Sequence, residues 1–552
     1  METSKHYKVL KKFGFKKLPT VYESKKSENE LLLYERIGGD FYILRGLEKK
    51  LYIKFSENFE FWEVIKNIHS LYPDVPIEKL IRDIYNFMVE LCNRGIFRYI
   101  YKDRSENLSC KFRILLVNVP SFFSFFLPSS YPVSLELPLG LIYLDNYFLL
   151  KNSEEVDIKI LDLFDKKEKI IPSFVRCIME YSPHLIGFTT YHVNLPLVLG
   201  LAKIAKHILP EVFITLGGPG VCVEGCEILK KNDFIDFVIK KEGEKPFYNL
   251  VRDLIENPKK KMRNIKSLIY KFNSEIIENP EDERLRNLDE LPFPDPYKSL
   301  YYPPRFIGQS HRISTRRGCF YRCSYCASPV IWDREVTMRS PINVIKEIEY
   351  LVSSFDAKEI IFNDDNFVWP REWVKDFIKL LMEREINIAW ACNARLENVD
   401  NEMLSLMAKA GCKKILLGIE TINKEAAKSI RKPWYSKEFL IKKLREIKEK
   451  GIEIVLSFII GLPFENKESM YEVLEFLENL NINEYEFLFL NVFPGTEFFQ
   501  KKEKIFKRVN NWNLYSFLTP TVETEYFPFS QQIEFYLEFL KRKVKKNENS
   551  NI

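Results

Sequence analysis

Between Arg312 and Cys326 the chain reads RISTRRGCFYRCSYC, and this stretch decides the fold. RISTRR reads as a strand, and the glycine after it opens a loop with cysteines at 319, 323 and 326, a C-x3-C-x2-C spacing. Three thiolates this close can wrap one face of a cubane iron-sulfur cluster, because each soft sulfur takes one iron. The fourth iron then stays open to a ligand with nitrogen and oxygen donors. The competing reading is a tetrahedral zinc site with His311 as fourth donor, but His311 lies on the far side of the strand, and a zinc knuckle needs no barrel behind it.

Downstream the strand and helix patterns alternate. Six strands follow one another between Arg312 and Phe493: RISTRR, EIIFND, IAWACNAR, KILLGIE, EIVLSFIIG and EYEFLFLNVF. Among the intervening helices, INVIKEIEYLVSSF begins after Ser340-Pro341, a cap followed by proline in the first turn. Six βα units predict a partial barrel over residues 306–505, whose reactive groups gather at the carboxyl ends of its strands. Those ends carry Asn363, Asp364 and Asp365, then Asn393 and Arg395 on one side by the period of two, then Glu420, then Gly461 and Pro463 in GLPFE. Taken singly, Asp364 reads as a helix cap, Arg395 as a surface ion pair and Glu420 as a solvated strand end. Their fall on successive strand ends points to one site.

Upstream, residues 110–260 show a second alternation: RILLVNVP, DIKILDLFD, LIGFTTY, FITLGGPG and FVIKKEGE, with helices between. That order predicts a doubly wound, Rossmann-like parallel sheet. Residues 261–305, with LDELPFPDPY, read as a linker. Residues 31–107 read as a small winged-helix-like α+β module: a hairpin LLLYERIGGDFYILRG, a short strand LYIKF, two helices and a strand IFRYIY. Leu80, Ile81, Ile84, Phe87, Met88 and Leu91 form the apolar face of the second helix. Residues 1–30 and 506–552 read as extensions, and the aromatic stretches WNLYSFL, YFPFS and FYLEFL have no evident place.

The chain has 552 residues, 46% hydrophobic and 29% charged, enough for several cores. Lys plus Arg, 83, nearly balance Asp plus Glu, 77, so a polyanion-coating surface is not indicated and no nucleic-acid partner is expected. The N-terminus lacks a signal-peptide core, and no uncharged apolar run reaches about 18 residues. A cytoplasmic protein with no membrane partner is expected, so its ten cysteines read as thiols or ligands before disulfides.

With its cysteine loop on a partial βα barrel, the third segment resembles the radical S-adenosylmethionine (SAM) superfamily. The resemblance implies that Cys319, Cys323 and Cys326 hold a [4Fe-4S] cluster and that SAM chelates the open iron. It places Tyr325 against the adenine, Asn363, Asp364 and Asp365 where the family has acceptors for the SAM ammonium, and Glu420 near SAM or its ribose. Asn393 and Arg395 share one strand face, from which the guanidinium could fork onto the SAM carboxylate. Gly461 and Pro463 shape a loop near the adenine. Ser457 departs from the glycine relatives often carry. Reductive cleavage of SAM to a 5′-deoxyadenosyl radical is implied, with an electron donor such as flavodoxin or ferredoxin.

The middle segment resembles the cobalamin-binding domain of B12-dependent radical SAM enzymes through Pro138–Leu144 (PLGLIYL), Gly217-Gly218-Pro219 and Lys241–Glu244 (KEGE). Gly217 and Gly218 would let backbone approach a bulky ligand. The D-x-H-x-x-G motif that gives cobalt a histidine is absent, since no histidine follows Asp162 or Asp165, and the third strand ends in Thr189-Thr190-Tyr191-His192. The N-terminal module resembles the PqqD-like element of enzymes that modify ribosomally made peptides, through SENFEFWEVIKNI and ELCNRGIF. That implies a precursor peptide whose leader adds a strand to an exposed edge, with Tyr42, Leu44, Tyr52 and Ile53 as candidate contacts. The expected activity is cobalamin-dependent C-methylation of such a peptide at an sp3 carbon. A radical SAM epimerase or other peptide modifier without cobalamin is the alternative enzyme; Cys392 and Cys412, its possible hydrogen donors, read as core. A non-catalytic iron-sulfur scaffold is the third reading.

Overall fold

The structure is a computed structural model that describes residues 13–17, 21–25, 30–35, 40–57, 61–73, 75, 79–81, 83–84, 87–88, 91, 97–101, 111–120, 138–164, 169–257, 262–295, 300, 310–480, 482, 484–501, 505–509 and 511–550. Two compact units divide near residues 284–310. The first holds the N-terminal module and the doubly wound sheet.

In the module, β1 (Phe13–Lys17), β2 (Val21–Lys25), β3 (Glu30–Glu35) and β4 (Asp40–Arg45) precede α1 (Gly46–Glu57), α2 (Phe61–Leu71) and β5 (Phe97–Tyr101). β3 and β4 pair antiparallel with Glu35 opposite Asp40, the hairpin expected, and β2 extends them to a three-stranded sheet. β1, in the segment expected to be an extension, pairs with β5. LYIKF is a helical segment of α1, not a strand. Leu51, Tyr52 and Phe55 are buried while Ile53 is 40% exposed, an i, i+1, i+4 pattern; a strand would turn 51, 53 and 55 to one face. Leu80, Ile81, Ile84, Met88 and Leu91 are buried, as their spacing predicts. Leu44 and Tyr52 are core residues, and the Tyr42 side chain lies outside the described residues.

The sheet that follows is built from β6 (Phe112–Asn118), β7 (Val156–Asp162), β8 (Leu185–Thr189), β9 (Phe213–Gly217) and β10 (Phe237–Ile239), all parallel. Their helices are α3 (Leu139–Leu150), α4 (Ile170–Tyr181), α5 (Leu195–Ile208), α6 (Gly225–Lys231) and α7 (Glu244–Glu256). An antiparallel hairpin, β11 (Leu268–Phe272) and β12 (Glu275–Glu278), completes the order β12-β11-β10-β9-β8-β6-β7. The stretch expected as linker thus joins the sheet, because Leu268, Ile269 and Tyr270 are apolar and buried at its edge. β6 has the second strand on one side and the third on the other. The chain therefore reverses direction beyond the carboxyl ends of β6 and β8, where doubly wound sheets bind ligands.

The second unit is a partial barrel. β13 (Ser310–Ile313), β16 (Glu359–Phe362), β17 (Ala389–Ala394), β18 (Cys412–Glu420), β19 (Glu453–Ile460) and β20 (Glu484–Phe489) lie side by side in chain order, all parallel. The short strands β14 (Arg316–Arg317) and β15 (Thr337–Met338) pair antiparallel and close the base of the loop between them. Helices α8 (Pro341–Phe355), α9 (Arg371–Glu383), α10 (Asn401–Lys409), α11 (Lys437–Glu449) and α12 (Lys467–Asn479) connect the strands. Phe362, Phe367, Phe377 and Trp390 fill the layer between strands and helices with edge-on and stacked rings.

The C-terminal aromatic stretches find their place on β20. In α13 (Phe529–Ser550), Phe535 and Phe539 pack against Phe487 at ring distances of 5.1 and 5.0 Å, and Tyr536 against Phe489 at 4.9 Å. Each fully buried Phe contributes roughly 1.5–3 kcal/mol, so the helix covers the outer face of the last strand at a favourable balance. The Phe489 amide donates to the Phe517 carbonyl. Among the described residues, no helix is long and apolar enough to cross a membrane.

Candidate active site

The cysteine loop stands at the carboxyl edge of the barrel on the β14–β15 clamp. Gly318 has φ +95°, and a Cβ there would lie 2.1 Å from the Glu335 carbonyl oxygen, so only glycine lets the loop leave its clamp. Farther along, the Ser324 amide donates to Ile430 O, the Phe498 amide donates to Ser324 O, and Cys326 N donates to Cys323 O. Cys319, Cys323 and Cys326 are all half-buried. A cleft of about 380 Å³ opens beside Cys323 and Cys326, bordered by Arg322, Arg431, Thr496 and Glu497.

The chemistry of the sulfurs tests what they can hold. Burial, the Asp365 carboxylate and the neighbouring sulfurs push the Cys326 thiol up to about 12, and burial likewise raises Cys319. Such a trio becomes thiolate when cations sit among the sulfurs. Among the described residues no three His, Cys, Asp or Glu side chains converge closely enough for a single ion. Three sulfurs on one short loop fit a cluster, which gives each sulfur its own iron.

His311, the donor weighed for zinc, lies inside β13 opposite Ile360, before the strand's carboxyl end. Burial lowers its pKa to about 4, and does the same for His192 in the first unit. An unfolded histidine takes its proton near 6.5, the folded rings only near 4, so acidification across that window favours unfolding. We expect the urea midpoint to fall between pH 7 and pH 4.5, and His311→Leu and His192→Leu each to flatten that fall. Equal pH slopes in parent and variants would remove the histidines as its cause.

The strand-end residues separate into two groups. Asn363 and Asp365 are exposed and on one face of the β16 extension; Asp364 is on the other. The Asp364 carboxylate accepts from the Thr315 amide at 2.8 Å, from the Thr315 hydroxyl and from the Arg316 amide, with Arg316 Nε at 3.5 Å. It therefore anchors the backbone that follows β13, a role distinct from the ammonium acceptor expected of it. Asn363 accepts from Arg312, and Asp365 from the Ser328 hydroxyl. Asn393 donates its amide to the Asp364 carbonyl at 3.1 Å, joining the ends of β16 and β17.

Arg395 reaches the cysteine loop. Its Nη1 lies 3.2 Å from Cys323 Sγ, its Nε donates to Glu397 at 2.6 Å, and its guanidinium carbon sits 3.7 Å from the centre of the Tyr321 ring. Burial opposes the charge, but the Cys323 sulfur and Glu397 outweigh it and hold the pKa above the ordinary arginine value. Glu397 also accepts from Tyr435, and Asn398 accepts from Tyr321 and Asn366. The partners Glu397, Asn398 and Tyr435 escaped sequence reading, since nothing in a linear pattern ties position 435 to 397.

Glu420 ends β18 at a register irregularity, with φ +68°. A side chain at Gly418 would collide with the Glu420 carboxylate, 2.4 Å from the Cβ position, so the glycine makes room for the carboxylate to turn back along its own strand. There it accepts from Tyr325 OH and Lys432 Nζ, both at 2.9 Å. Tyr325 thus joins the cysteine loop to β18, and its phenol is pushed up by burial and by Glu420. Lys432 is a further residue that sequence reading missed. Gly461, φ +91°, and Pro463 form the turn after β19, and Gly461 faces the side-chain amide of Gln532. Next to them buried Glu465 accepts from Thr421 and Ser469, fixing the ends of β18 and β19 together. Cys392 and Cys412 are buried core residues, Cys392 on the opposite face of β17 from Asn393.

In the first unit, the glycines after β9 serve chain packing. A Cβ at Gly218 would sit 2.8 Å from Thr190 O, and one at Gly220 would sit 2.6 Å from the Tyr191 carbonyl carbon. The Gly217 Cβ position meets only Ile239 O at 3.9 Å. The loops after β8 and β9 are thereby drawn together at the switch point, with Tyr191 half exposed and Asn194 bridging Tyr191 N and Val119 O. Asp162 at the end of β7 accepts from Asn118 and the Phe164 amide. These drawn-together loops, with Tyr191 half exposed beyond the carboxyl ends of β6 and β8, fit a bulky ligand at the switch point, which Thr190, Tyr191, Gly217 and Gly218 would hold.

Comparison with known proteins agrees with both units. Residues 313–477 match the radical SAM superfamily, and residues 134–251 match the B12 binding domain. An uncharacterized methyltransferase of Pyrococcus horikoshii is 27% identical over 416 residues, 72% of this chain and 88% of that protein. The anaerobic magnesium-protoporphyrin IX monomethyl ester cyclase of Rubrivivax gelatinosus is 25% identical over 63% of each chain. Among solved structures, the radical S-adenosylmethionine methyltransferase TsrM from Kitasatospora setae aligns with TM-score 0.58 at 20% identity, covering 70% of this chain and 75% of its own. The cobalamin-dependent S-adenosylmethionine radical enzyme OxsB aligns with TM-score 0.54 at 17% identity over 87% of this chain and 64% of its own. At these identities the structural likeness speaks to fold alone.

Proposed function

From a chain that pairs a B12-binding domain with a radical SAM domain, we infer an enzyme of the cobalamin-dependent radical SAM methyltransferase kind, acting at an sp3 carbon of a peptide. The observation that carries the enzyme reading is the trio of half-buried cysteines on a clamped loop at the barrel's carboxyl edge. Bound there, a [4Fe-4S] cluster with SAM supplies hydrogen abstraction from an unactivated carbon, and cobalamin at the first unit's switch point supplies a transferable methyl group. The chain's own residues hold and orient. Cys319, Cys323 and Cys326 bind iron, while Asn363 and Asp365 offer acceptors on the exposed strand-end face. Glu420, fixed by Lys432 and Tyr325, would offer a carboxylate to SAM or its ribose. Thr190, Tyr191, Gly217 and Gly218 would frame the corrin.

The peptide reading rests on the N-terminal module. Sheet order β2-β3-β4 leaves β4 at an edge, with Ile43 and Ile53 of α1 exposed, and an extended segment can add there by main-chain hydrogen bonds. A tethered leader would raise the local concentration of its core peptide. A small-molecule substrate is the second reading, favoured by the similarity to a cyclase named for a porphyrin ester.

The test is anaerobic reconstitution with iron, sulfide and SAM, with and without cobalamin, against a candidate precursor peptide. A product heavier by one methylene, formed only with cobalamin, is expected. Unchanged mass with deuterium uptake from solvent would replace methylation by epimerisation. SAM cleavage that proceeds while no peptide is altered or bound would return the substrate to a small molecule.

A further inference from the structure

The guanidinium of Arg395 is held on three sides: Nε by Glu397 at 2.6 Å, its face by the Tyr321 ring at 3.7 Å, and Nη1 against Cys323 Sγ at 3.2 Å. Glu397 is in turn held by Tyr435, and Tyr321 by Asn398, so both supports are themselves fixed. The arginine side chain is 9% exposed, so solvent screens its charge weakly. A group held this firmly is built to stay where it is, and where it stays is on one sulfur.

We propose that Arg395 sets the reduction potential of the cluster by donating a charge-assisted hydrogen bond to the sulfur of Cys323. The inference rests on the cluster reading of the three cysteines. Reduction adds one negative charge to a cluster, and its thiolate sulfurs share that charge. A fixed cation and an N–H donor at one sulfur stabilise the reduced form more than the oxidised form, which makes the cluster easier to reduce. Cluster reduction must precede SAM cleavage, so Arg395 acts on the reaction through Cys323 as a positioning residue. Tyr321 contributes by keeping the guanidinium planar against its face and turned toward the loop.

The experiment is an EPR-monitored redox titration of the reconstituted full chain without SAM, comparing the parent with Arg395→Lys and Arg395→Gln. The midpoint potential is expected to become more negative in Arg395→Gln, with Arg395→Lys between it and the parent. In the parent alone, resonance Raman in D2O should shift the Fe–S(cysteine) stretching bands, the mark of an exchangeable hydrogen bond to sulfur, so the test survives a glutamine variant that holds no iron. Equal midpoint potentials in all three proteins, or bands unmoved by deuterium, would overturn the proposal. An arginine that serves only the SAM carboxylate would instead weaken SAM binding in Arg395→Gln and leave the potential of the SAM-free cluster unchanged, which also overturns it. Failure of the parent protein to incorporate iron would overturn the cluster reading itself, a different result from equal potentials.

Discussion

The Cys323→Ala variant should remain folded and lose SAM cleavage entirely, to the rate of the uncatalysed background. Its fold is secure because the loop hangs on contacts that do not involve the thiol: the β14–β15 clamp, the glycine exit at Gly318, and the backbone bonds of Ser324 to Ile430 and Phe498. Its chemistry is not secure. Two thiolates leave two irons without protein ligands, and the loop has no other cysteine to replace the third, since Cys392 and Cys412 are buried on other elements. The loss at Cys323 also strands Arg395, whose Nη1 then faces an empty position. Iron content, visible absorption and 5′-deoxyadenosine formation check the expectation, with circular dichroism as the control for folding. A variant that loses its iron yet keeps full activity would mean chemistry that needs no cluster, and a parent that holds iron yet cleaves no SAM would return the protein to a non-catalytic scaffold.

Much of this arrangement was readable in the chain because it is local. The cysteine spacing lies within one loop, and the six barrel strands follow in chain order with each pair adjacent, so strand order needed no long-range information. The features that escaped are those in which a partner comes from far along the chain. Lys432 on Glu420, Tyr435 on Glu397 and the aromatic face of α13 on β20 depend on how helices fold back, which no periodicity records. LYIKF failed for another reason. Five residues rich in β-branched and aromatic types fit a strand locally, and only the burial of positions 51, 52 and 55 reveals the helix. Asp364 is the instructive case, since the period of two already places Asn363 and Asp365 on one face and Asp364 on the other. Grouping the three as one cluster ignored a parity that the sequence contained.

That parity gives the second large effect. Replacing Asp364 by alanine should cost the barrel about 3–5 kcal/mol, the range for removing one partner of a buried pair. The carboxylate is fully enclosed and the Arg316 side chain beside it is 2% exposed. Burial opposes both charges, raising the pKa of Asp364 and lowering that of Arg316, so each ion depends on the other. The two terminal nitrogens of Arg316 have no hydrogen-bond partner among the described residues; beside Asp364 its support is a bond from Nε to the Thr315 hydroxyl at 3.1 Å and the faces of Trp373 and Phe367, 4.6 and 5.6 Å away. Without Asp364 the arginine keeps its charge and loses the anion beside it, while the Thr315 amide and hydroxyl lose their acceptor. Asp364→Asn retains an acceptor oxygen but not the charge, and should fall between parent and alanine. Urea unfolding followed by tryptophan fluorescence measures the effect, since Trp373 and Trp390 both lie in this layer. Were Asp364 instead a ligand to the SAM ammonium, alanine would leave the urea midpoint in place and weaken SAM binding, and the anchor role would have to be abandoned.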